Sequence, residues 1–381
     1  MDVVGKFVLL GANLILSRFI WNYLRPPLKS FPEPFNAKLT NLWRLQVVFK
    51  GRCDITHNEL HRRHGPAVCI GPNVLSLPDS TLINQVYSTR DPWAKSDMYN
   101  VNDSVVSGVR IKNLFSHQDE QWHTNAEQYQ ERLTGGEQSQ NGYGDFLDRY
   151  IEAKGKMPDI VDENVVQMYL LSNIVAGSDT TASAICAAVY YVLKNTAVYN
   201  RLQEELRGTN LSTPPQWKEA RSLPYLDAVM REAMRVHPGV GLLLERIVPR
   251  DGLTLSGGRF VPEGTIVGMN PWVVNRDSTV FGSEPDSFKP ERWLPAEAEG
   301  EDDEAYQTRF SKMKSTDLTF GAGPRACLGR HISQLESYKI VATLFTNFDV
   351  ELKTPDYEWE VTNSWFVRQK NIPVIIKERK S

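Results

Sequence analysis

Apolar residues dominate the start of the chain from Val3 to Leu24, with Lys6 and Arg18 as interruptions. Because about 20 apolar residues span a bilayer, this pattern predicts that residues 1–25 form a membrane anchor. Charges near the ends of such a helix weaken its insertion without preventing it. A helix that lies in the membrane interface, or one that packs on the protein, fits the same pattern and stays open as an alternative.

A proline-rich stretch follows, at residues 26–36 (PPLKSFPEPFN). Proline breaks helices and stiffens an extended chain. The stretch therefore predicts a hinge between the anchor and a globular domain, which takes up residues 37–381.

Beyond the hinge, short apolar runs bounded by Gly and Pro predict strands, and longer runs with a helical period predict helices. The predicted strands lie at residues 67–70, 74–77 and within 248–267. The predicted helices lie at residues 80–87, 162–193, 224–236 and from Leu328 onward. Little periodicity is visible at 91–110, which predicts a long loop, and the acidic run 297–304 predicts a solvated one. The fold is predicted to be mainly α, with a small β region drawn from both ends of the chain.

Composition and charge narrow the class of protein. The chain has 381 residues and a formal net charge of −3, without the basic surplus of a nucleic-acid-binding protein. Its four cysteines are far apart and form no C-x-x-C pair, which is typical of reduced thiols and argues against a structural zinc site. We expect an intracellular protein that binds no nucleic acid.

The richest motif lies at residues 320–329 (FGAGPRACLG). A cysteine that binds a metal must be a thiolate, whereas a free thiol has a pKa of about 8.5. Arg325 and the N–H groups of the helix predicted after Leu328 favour the thiolate of Cys327, and the glycines allow close approach of the backbone to a flat group. A cysteine thiolate on haem iron favours O–O cleavage. The alternative is a glycine-rich turn that carries an inert, buried cysteine.

A second motif, residues 176–181 (AGSDTT), interrupts the long apolar helix. Gly177 destabilises a helix interior by up to about 1 kcal/mol relative to Ala, and a flat ligand lying against the helix would explain its presence. The hydroxyl of Thr180 beside the carboxylate of Asp179 can relay protons to a bound oxygen species. A core helix with incidental polar residues is the alternative.

Glu232 and Arg235 are three residues apart on a predicted helix and so share a face. Arg292, in a proline-bounded turn, supplies a second guanidinium group. A carboxylate between two arginines would form a buried ion-pair clasp that is costly to break, although most helical pairs of this spacing are simply solvated.

These segments, in this order, resemble the cytochrome P-450 superfamily of haem-thiolate monooxygenases. The cysteine loop matches F-x-x-G-x-R-x-C-x-G at every fixed position, and 176–181 matches the oxygen-activation motif. The segments 63–66 (RHGP), 70–73 (IGPN) and 86–90 (VYSTR) further resemble the microsomal enzymes of filamentous fungi near the pisatin-demethylase-like group.

The resemblance implies haem b as the cofactor, with Cys327 as the axial iron ligand. By the resemblance, Arg325, Arg246 and Trp122 contact the haem propionates, and His123 is a weaker candidate for such a contact. The remaining haem-contacting residues that it implies are Phe320 and Gly323. By the same resemblance, Thr180 and Asp179 are catalytic and manage proton delivery.

Six apolar residues fall in stretches that usually line the substrate pocket of the superfamily, and core packing is an equal alternative for each of them: Val105, Val106, Val240, Leu242, Leu243 and Phe366.

The interval between Trp122 and Ala176 departs from the superfamily pattern. Members of the superfamily place several helices there, including the lid over the substrate, whereas this chain has a Gly-, Gln- and Asn-rich stretch at 135–144. The arginine that usually follows the tryptophan is replaced by Ala126. We expect a large internal deletion, between about residues 124 and 145, and a fold that lacks several middle helices. An open site admits water, which a monooxygenase must exclude.

Two functions from different classes follow. The first is a haem-dependent monooxygenase of fungal secondary metabolism. It would insert one oxygen atom from O2 into an apolar small molecule, at the cytosolic face of the endoplasmic reticulum membrane. Electrons would come from an NADPH-dependent reductase, because the chain has no dinucleotide-binding fingerprint of its own. The second is a catalytically inactive, truncated relic with weak or no haem binding. A haem-thiolate isomerase or dehydratase that needs no O2 is a third possibility, which the retained acid–alcohol pair disfavours.

Overall fold

Helices account for most of the chain that the computed structural model describes, which comprises residues 3–24, 28–106, 109–112, 115–118, 146–156, 158, 161–296 and 300–379. The α-helices of this part are α1 (Val3–Leu24), α2 (Phe35–Leu39), α3 (Leu42–Phe49), α4 (Cys53–His64), α5 (Ile83–Val86), α6 (Phe146–Lys156), α7 (Glu163–Lys194), α8 (Thr196–Gly208), α9 (Trp217–Ser222), α10 (Pro224–Val236), α11 (Pro271–Val274), α12 (Ser278–Phe281), α13 (Asp303–Thr316) and α14 (Arg330–Asn347). The prediction of a mainly α chain is confirmed.

The strands are short and form several small sheets. They are β1 (Val68–Gly71), β2 (Val74–Ser76), β3 (Ser104–Val106), β4 (Val109–Ile111), β5 (Arg246–Ile247), β6 (Leu253–Thr254), β7 (Phe260–Val261), β8 (Ile266–Gly268), β9 (Phe348–Leu352), β10 (Glu360–Asn363), β11 (Val367–Lys370) and β12 (Val374–Glu378). The largest sheet has the order β1-β2-β8-β5, with β2 parallel to β8. It joins N-terminal strands to strands from the middle of the chain, whereas the C-terminal strands pair among themselves. The two ends of the chain meet in a single β-bridge, between Arg52 and Asn363 of β10.

Helix α1 begins at Val3 and ends at Leu24, as predicted. Most of its side chains are exposed, and its segment Val4–Asn22 is long and apolar enough to cross a bilayer. The Asn22 side chain donates a hydrogen bond to the Leu39 carbonyl at 3.0 Å, which ties the end of α1 to the end of α2. In the following stretch, Leu28 and Phe31 are buried in the core, so the described part of the predicted hinge is packed against the globular domain.

Two apolar clusters hold the globule together. One lies where α7, α8, α10 and α14 meet, and its buried members include Ala187, Leu202, Leu226, Met230, Val341 and Phe345. The other lies beside the largest sheet, and its buried members include Leu75, Leu77, Val86, Val261, Val267 and Leu318. Helix α10 runs through the centre of the molecule and begins at Pro224, because proline suits the first helical position, where no N–H is needed.

Two long helices each present an apolar face to solvent. On α7, Leu171, Ile174 and Val175 are 58%, 67% and 59% exposed. On α14, Ile332, Leu335 and Ile340 are also exposed. Leu171, Ile174 and Val175 are three or four residues apart and share one side of α7, as Ile332 and Leu335 do on α14. We call these residues, together with Ile340 five positions beyond Leu335, the open faces of α7 and α14. Such faces are normally buried against another element.

Two predicted loops contain regular structure. Residues Asp97–Asn102 form a 3-10 helix, and β3 pairs with β4 as a hairpin, within the stretch predicted to be a loop. The acidic run continues into α13, which begins at Asp303, because the Asp302 carboxylate accepts a hydrogen bond from the Ala305 N–H at 2.8 Å. Both predictions missed helices whose local periodicity is weak.

Candidate active site

The cysteine loop is closed by its own backbone. The Cys327 N–H donates to the Phe320 carbonyl at 2.8 Å, and the Ala326 N–H donates to the Gly323 carbonyl at 3.1 Å. The Cys327 side chain is exposed. Helix α14 begins at Arg330, two residues later than predicted, with Gly329 as its N-cap residue.

Glycines shape this loop for two different reasons. Gly321 and Gly323 have φ of +71° and +66°, which only glycine adopts readily. A Cβ atom on Gly323 would collide with the carbonyl oxygen of Tyr87, whereas a Cβ atom on Gly329 would meet only the Cys327 sulfur, at 3.9 Å. Gly323 therefore permits close packing with Tyr87, and the space beside Gly329 is open.

Several groups act on the Cys327 thiol. Desolvation raises its pKa, while the N–H groups of Gly329 and Arg330 and the charge of Arg330 act in the opposite direction. The pKa is raised overall, so the thiol keeps its proton until a metal displaces it. Arg330, which follows the loop, is a cation that sequence reasoning did not assign to the sulfur.

A basic group lies next to this loop. The Arg246 guanidinium lies 5.0 Å from the ring centre of Tyr87 and donates to the Glu245 carbonyl at 2.8 Å. The backbone of Tyr87 packs against Gly323, so Tyr87 lies between Arg246 and the loop that carries Arg325. The two arginines predicted from separate segments are thus brought to the same side of the molecule.

The AGSDTT motif lies in the middle of α7, as predicted. The Thr180 hydroxyl donates to the Ala176 carbonyl at 2.6 Å, and a Cβ atom on Gly239 would lie 3.7 Å from the Thr180 Cβ. The Asp179 carboxylate accepts a hydrogen bond from Arg368 of β11 at 2.6 Å, a partner that sequence reasoning missed. A Cβ atom on Gly177 would meet nothing within 4 Å, so space is open along this turn.

Helices α7 and α14 are joined at the site, since the Thr181 hydroxyl donates to the Ser333 hydroxyl at 3.1 Å. Thr181 follows the predicted proton-delivery pair, and Ser333 lies six residues after Cys327. This bond brings the turn of α7 that carries Thr180 to the first turns of the helix that follows the cysteine loop.

The ion-pair clasp forms as predicted, with Glu232 and Arg235 fully buried and Arg292 at its edge. Glu232 lies 2.8 Å from both Arg235 and Arg292, and it also accepts hydrogen bonds from the Lys289 N–H and the Trp293 indole, each at 2.9 Å. Burial disfavours the charge of Glu232, but the two guanidinium groups outweigh it, and its pKa is lowered. The clasp locks α10 to the turn that carries Trp293.

The predicted pocket segments divide into two sets. The Gly241 N–H donates to the Trp365 carbonyl at 2.8 Å, and Val240 pairs with Phe366 through a β-bridge, so these two segments are neighbours close to Thr180. Leu242 and Leu243 instead pack into separate core clusters. Val105 is exposed. The side chain of Val106 and the residues Trp122 and His123 lie outside the described part of the structure.

An aromatic cluster beside these segments was not predicted. The rings of Tyr99, Phe115 and Trp365 lie edge to face, with centroids 5.3–5.7 Å apart. The Lys95 ammonium lies 4.9 Å from the Tyr99 ring centre and donates to the Phe115 carbonyl at 2.6 Å. The four-residue spacing of Lys95 and Tyr99 was the signal from which this contact could have been predicted. The contact forms because Tyr99 lies on the 3-10 helix that follows Lys95.

The assembled residues fit an iron porphyrin by their chemistry. An exposed thiol beside an open glycine offers one ligand for iron, the open turn at Gly177 accommodates a flat ring, and buried Arg246 suits the carboxylates of a porphyrin edge. In the described part of the chain, no group of three or more His, Cys, Asp or Glu side chains could hold a metal ion by itself. A prosthetic group with a single protein ligand fits this donor set.

Comparison with known proteins agrees with this geometry. The cytochrome P450 family model matches residues 109–376. The cytochrome P450 monooxygenase cfoH of Aspergillus candidus is 29% identical over 497 aligned positions, which cover 97% of this chain and 92% of that protein. The cytochrome P450 monooxygenase cicH of Emericella nidulans is 31% identical over 484 positions, which cover 93% of this chain and 95% of that protein.

Both alignments are longer than the chain itself, at 497 and 484 positions against 381 residues. The relatives therefore contain residues inside the aligned region that this chain lacks. The predicted internal deletion and the loss of middle helices are confirmed. Its location, in the interval between Trp122 and Ala176, stays a prediction. With its cysteine loop, its buried clasp and relatives that match it from end to end, the chain belongs to the cytochrome P450 family.

Proposed function

We propose that this protein is a haem-thiolate monooxygenase that inserts one oxygen atom from O2 into an apolar small molecule, in fungal secondary metabolism. Members of the family use haem iron with a thiolate ligand, a redox partner and O2. The observation that carries the proposal is the exposed Cys327 thiol, on a closed glycine loop next to the N-terminus of α14.

Haem b is the proposed cofactor, and when bound it supplies the activation of dioxygen. Cys327 would be the iron ligand, and Arg325 and Arg246 would pair with its two carboxylates. Phe320 and Gly323 would shape the loop beneath the ring. Trp122 and His123 complete the proposed set as residues of the superfamily motif.

Thr180 and Asp179 are the proposed catalytic pair. The Thr180 hydroxyl is oriented by its hydrogen bond to the Ala176 carbonyl, and Arg368 fixes the Asp179 carboxylate beside it. Such an alcohol and carboxylate hold and pass a proton at the side of α7 that carries Gly177.

The proposed partners follow from the same reading. An NADPH-dependent reductase would supply electrons, and α1 would hold the protein at the cytosolic face of the endoplasmic reticulum membrane, with residues 1–25 as anchor, 26–36 as hinge and 37–381 as catalytic domain. The exposed apolar surface of α1 supports this arrangement.

The decisive experiment is the difference spectrum of the reduced protein with carbon monoxide. The wild-type protein should give the long-wavelength Soret band of a thiolate haem, and Cys327→Ser should abolish it. Cys186→Ser, which changes a half-buried cysteine of α7, is the matched control and should leave the band intact. A folded wild-type protein without the band, or a Cys327→Ser variant that keeps it, rejects the proposal.

A second candidate is a catalytically inactive, truncated relic with weak or no haem binding. The open faces of α7 and α14 favour it, because an enzyme that protects reactive intermediates must exclude water. Haem loading and turnover with a reductase separate the two candidates: substrate-dependent product formation supports the monooxygenase, whereas a folded protein that takes up little haem and forms no product supports the relic.

A further inference from the structure

Asn13 is the middle residue of Val4–Asn22, the segment of α1 that is long and apolar enough to cross a bilayer. At 1.5 Å per residue, about 14 Å of helix lies on either side of it. Because the hydrocarbon core of a bilayer is about 30 Å thick, a spanning α1 places the Asn13 amide near the centre of the membrane. A polar side chain at that depth is costly unless another polar group pairs with it.

The helix itself satisfies only part of the Asn13 amide. One N–H donates to the Leu9 carbonyl, one turn earlier, at 3.0 Å. The amide has a second N–H donor and a carbonyl oxygen that accepts. Asn13 is exposed, and within the described part of the chain these two groups have no hydrogen-bond partner. Lipid chains cannot supply one, so the amide needs a polar partner from outside α1.

Exposed apolar residues on the same side of α1 follow the pattern of a coiled coil. Leu9 lies four residues before Asn13, while Leu16 and Ile20 lie three and seven residues after it. This spacing puts Asn13 and Ile20 at the a positions of a heptad, and Leu9 and Leu16 at the d positions. We call these four residues, all of which are exposed, the seam of α1.

The globular domain contacts α1 from the other side. Asn22, which donates to the Leu39 carbonyl, is nine residues after Asn13 and so lies about 180° round the helix from it. The seam points away from this contact and is free to meet another helix. Lys6 lies on the seam side, seven residues before Asn13, but it is close to the end of the segment, where its long side chain carries the ammonium to the membrane interface.

We propose that α1 pairs with α1 of a second copy of this protein in the membrane, along the seam, as a parallel dimer. Each Asn13 donates its second N–H to the amide oxygen of Asn13 in the other copy, so both amides are satisfied. A second copy is the fitting partner, because its amide lies at the same depth and has the same free groups. A single asparagine at an a position also fixes the register of two helices. This inference rests on the membrane anchoring that is part of the proposed function.

The test measures self-association of the full chain in phospholipid vesicles. Two batches of protein, labelled with a donor and an acceptor fluorophore, are mixed, and energy transfer is followed as the protein-to-lipid ratio is lowered. Asn13→Leu should raise the ratio at half-maximal transfer by about tenfold, because the hydrogen bonds between the two amides are lost. Asn13→Gln, which keeps an amide, should retain most of the transfer.

Leu16→Ala and Leu14→Ala are a matched pair, because both residues are exposed leucines of α1 that lie about 160° apart round the helix. Leu16→Ala, on the seam, should weaken the transfer, and Leu14→Ala should leave it unchanged. Transfer that survives Asn13→Leu overturns the inference, as does equal loss in the two leucine variants. A wild-type protein that transfers energy to a labelled reductase but not to its own copies shows that α1 has a different partner, and this also overturns it.

Extraction of the vesicles with alkaline carbonate reports the anchoring separately. A wild-type protein that is released from the membrane overturns the proposed anchoring and this inference together. A wild-type protein that stays in the membrane without energy transfer between copies overturns this inference alone. The carbon monoxide spectrum tests haem binding independently of either result.

Discussion

The centre of the molecule and its outer helical faces differ sharply. Around α10, Glu232 is enclosed by two arginines, an indole and a backbone N–H, and every one of these groups is supplied by the chain itself. On α7 and α14, apolar side chains such as Ile174 and Ile340 face solvent. The two regions belong to one family fold, but only one of them is complete.

The predicted place of the internal deletion would account for this difference. The clasp, the cysteine loop and α14 all lie after Ala176, and the family motifs there are unbroken. The longer relatives carry additional residues inside the aligned region, and the predicted place of the loss precedes α7. A deletion can therefore remove packing partners of the outer faces and leave the central ion pairs intact.

The clasp gives the largest predicted effect. Glu232→Gln removes the charge between Arg235 and Arg292 and leaves two buried guanidinium groups without a carboxylate, which should cost about 3–5 kcal/mol of the free energy of unfolding. Denaturant unfolding followed by circular dichroism measures this. Glu351→Gln, in an exposed pair with Lys377, is the control and should cost at most about 1 kcal/mol. Similar losses in both variants would show that the clasp adds little.

Acid should destabilise the central region through buried histidine. His237 lies between Trp272 and Trp359, and neither ring nitrogen has a hydrogen-bond partner in the described part of the chain. Burial, then the charges of Arg276 and Arg52, lower its pKa to about 3. Because the unfolded chain binds a proton at about pH 6.5 and the folded one does not, stability is lost as the pH falls from about 6.5 towards 3.

One such histidine contributes a slope of up to about 1.4 kcal/mol per pH unit. His237→Leu should therefore flatten the dependence of stability on pH between 6 and 4.5. His331→Gln, at an exposed position of α14, should leave the slope unchanged. A wild-type slope that survives His237→Leu would assign the acid sensitivity elsewhere.

Local signals in the sequence were sufficient for much of this picture. Helix α10 begins and ends as predicted, because Pro224 marks its first turn and its apolar spacing is strong. The clasp followed from residue type and spacing, although Trp293, which completes the shell of Glu232, was missed. The position of an indole N–H donor directly after Arg292 could have predicted this hydrogen bond to Glu232.

Contacts between distant short segments left no such signal. Strand β2 pairs in parallel with β8 over three residue pairs, the first of which is Val74 with Ile266. Arg368 of β11 likewise donates a hydrogen bond to Asp179 of α7. Strands this short carry little periodicity, so the three-dimensional fold decides their partners. The same holds for Lys95 and Arg246, which only the β-bridge brings together.

The smallest predicted effect concerns the open face of α14. Ile340 is exposed, whereas its neighbour Val341, about 100° further round the same helix, is fully buried. Ile340→Gln should change the free energy of unfolding by no more than about 0.5 kcal/mol. Val341→Gln, which buries an amide in an apolar cluster, should cost at least about 2 kcal/mol. Because the two positions are adjacent on one helix, the difference between the two losses reports burial rather than local helix propensity. If Ile340→Gln costs as much as Val341→Gln, the face of α14 is covered in solution, and the contrast between a complete centre and an incomplete periphery no longer holds.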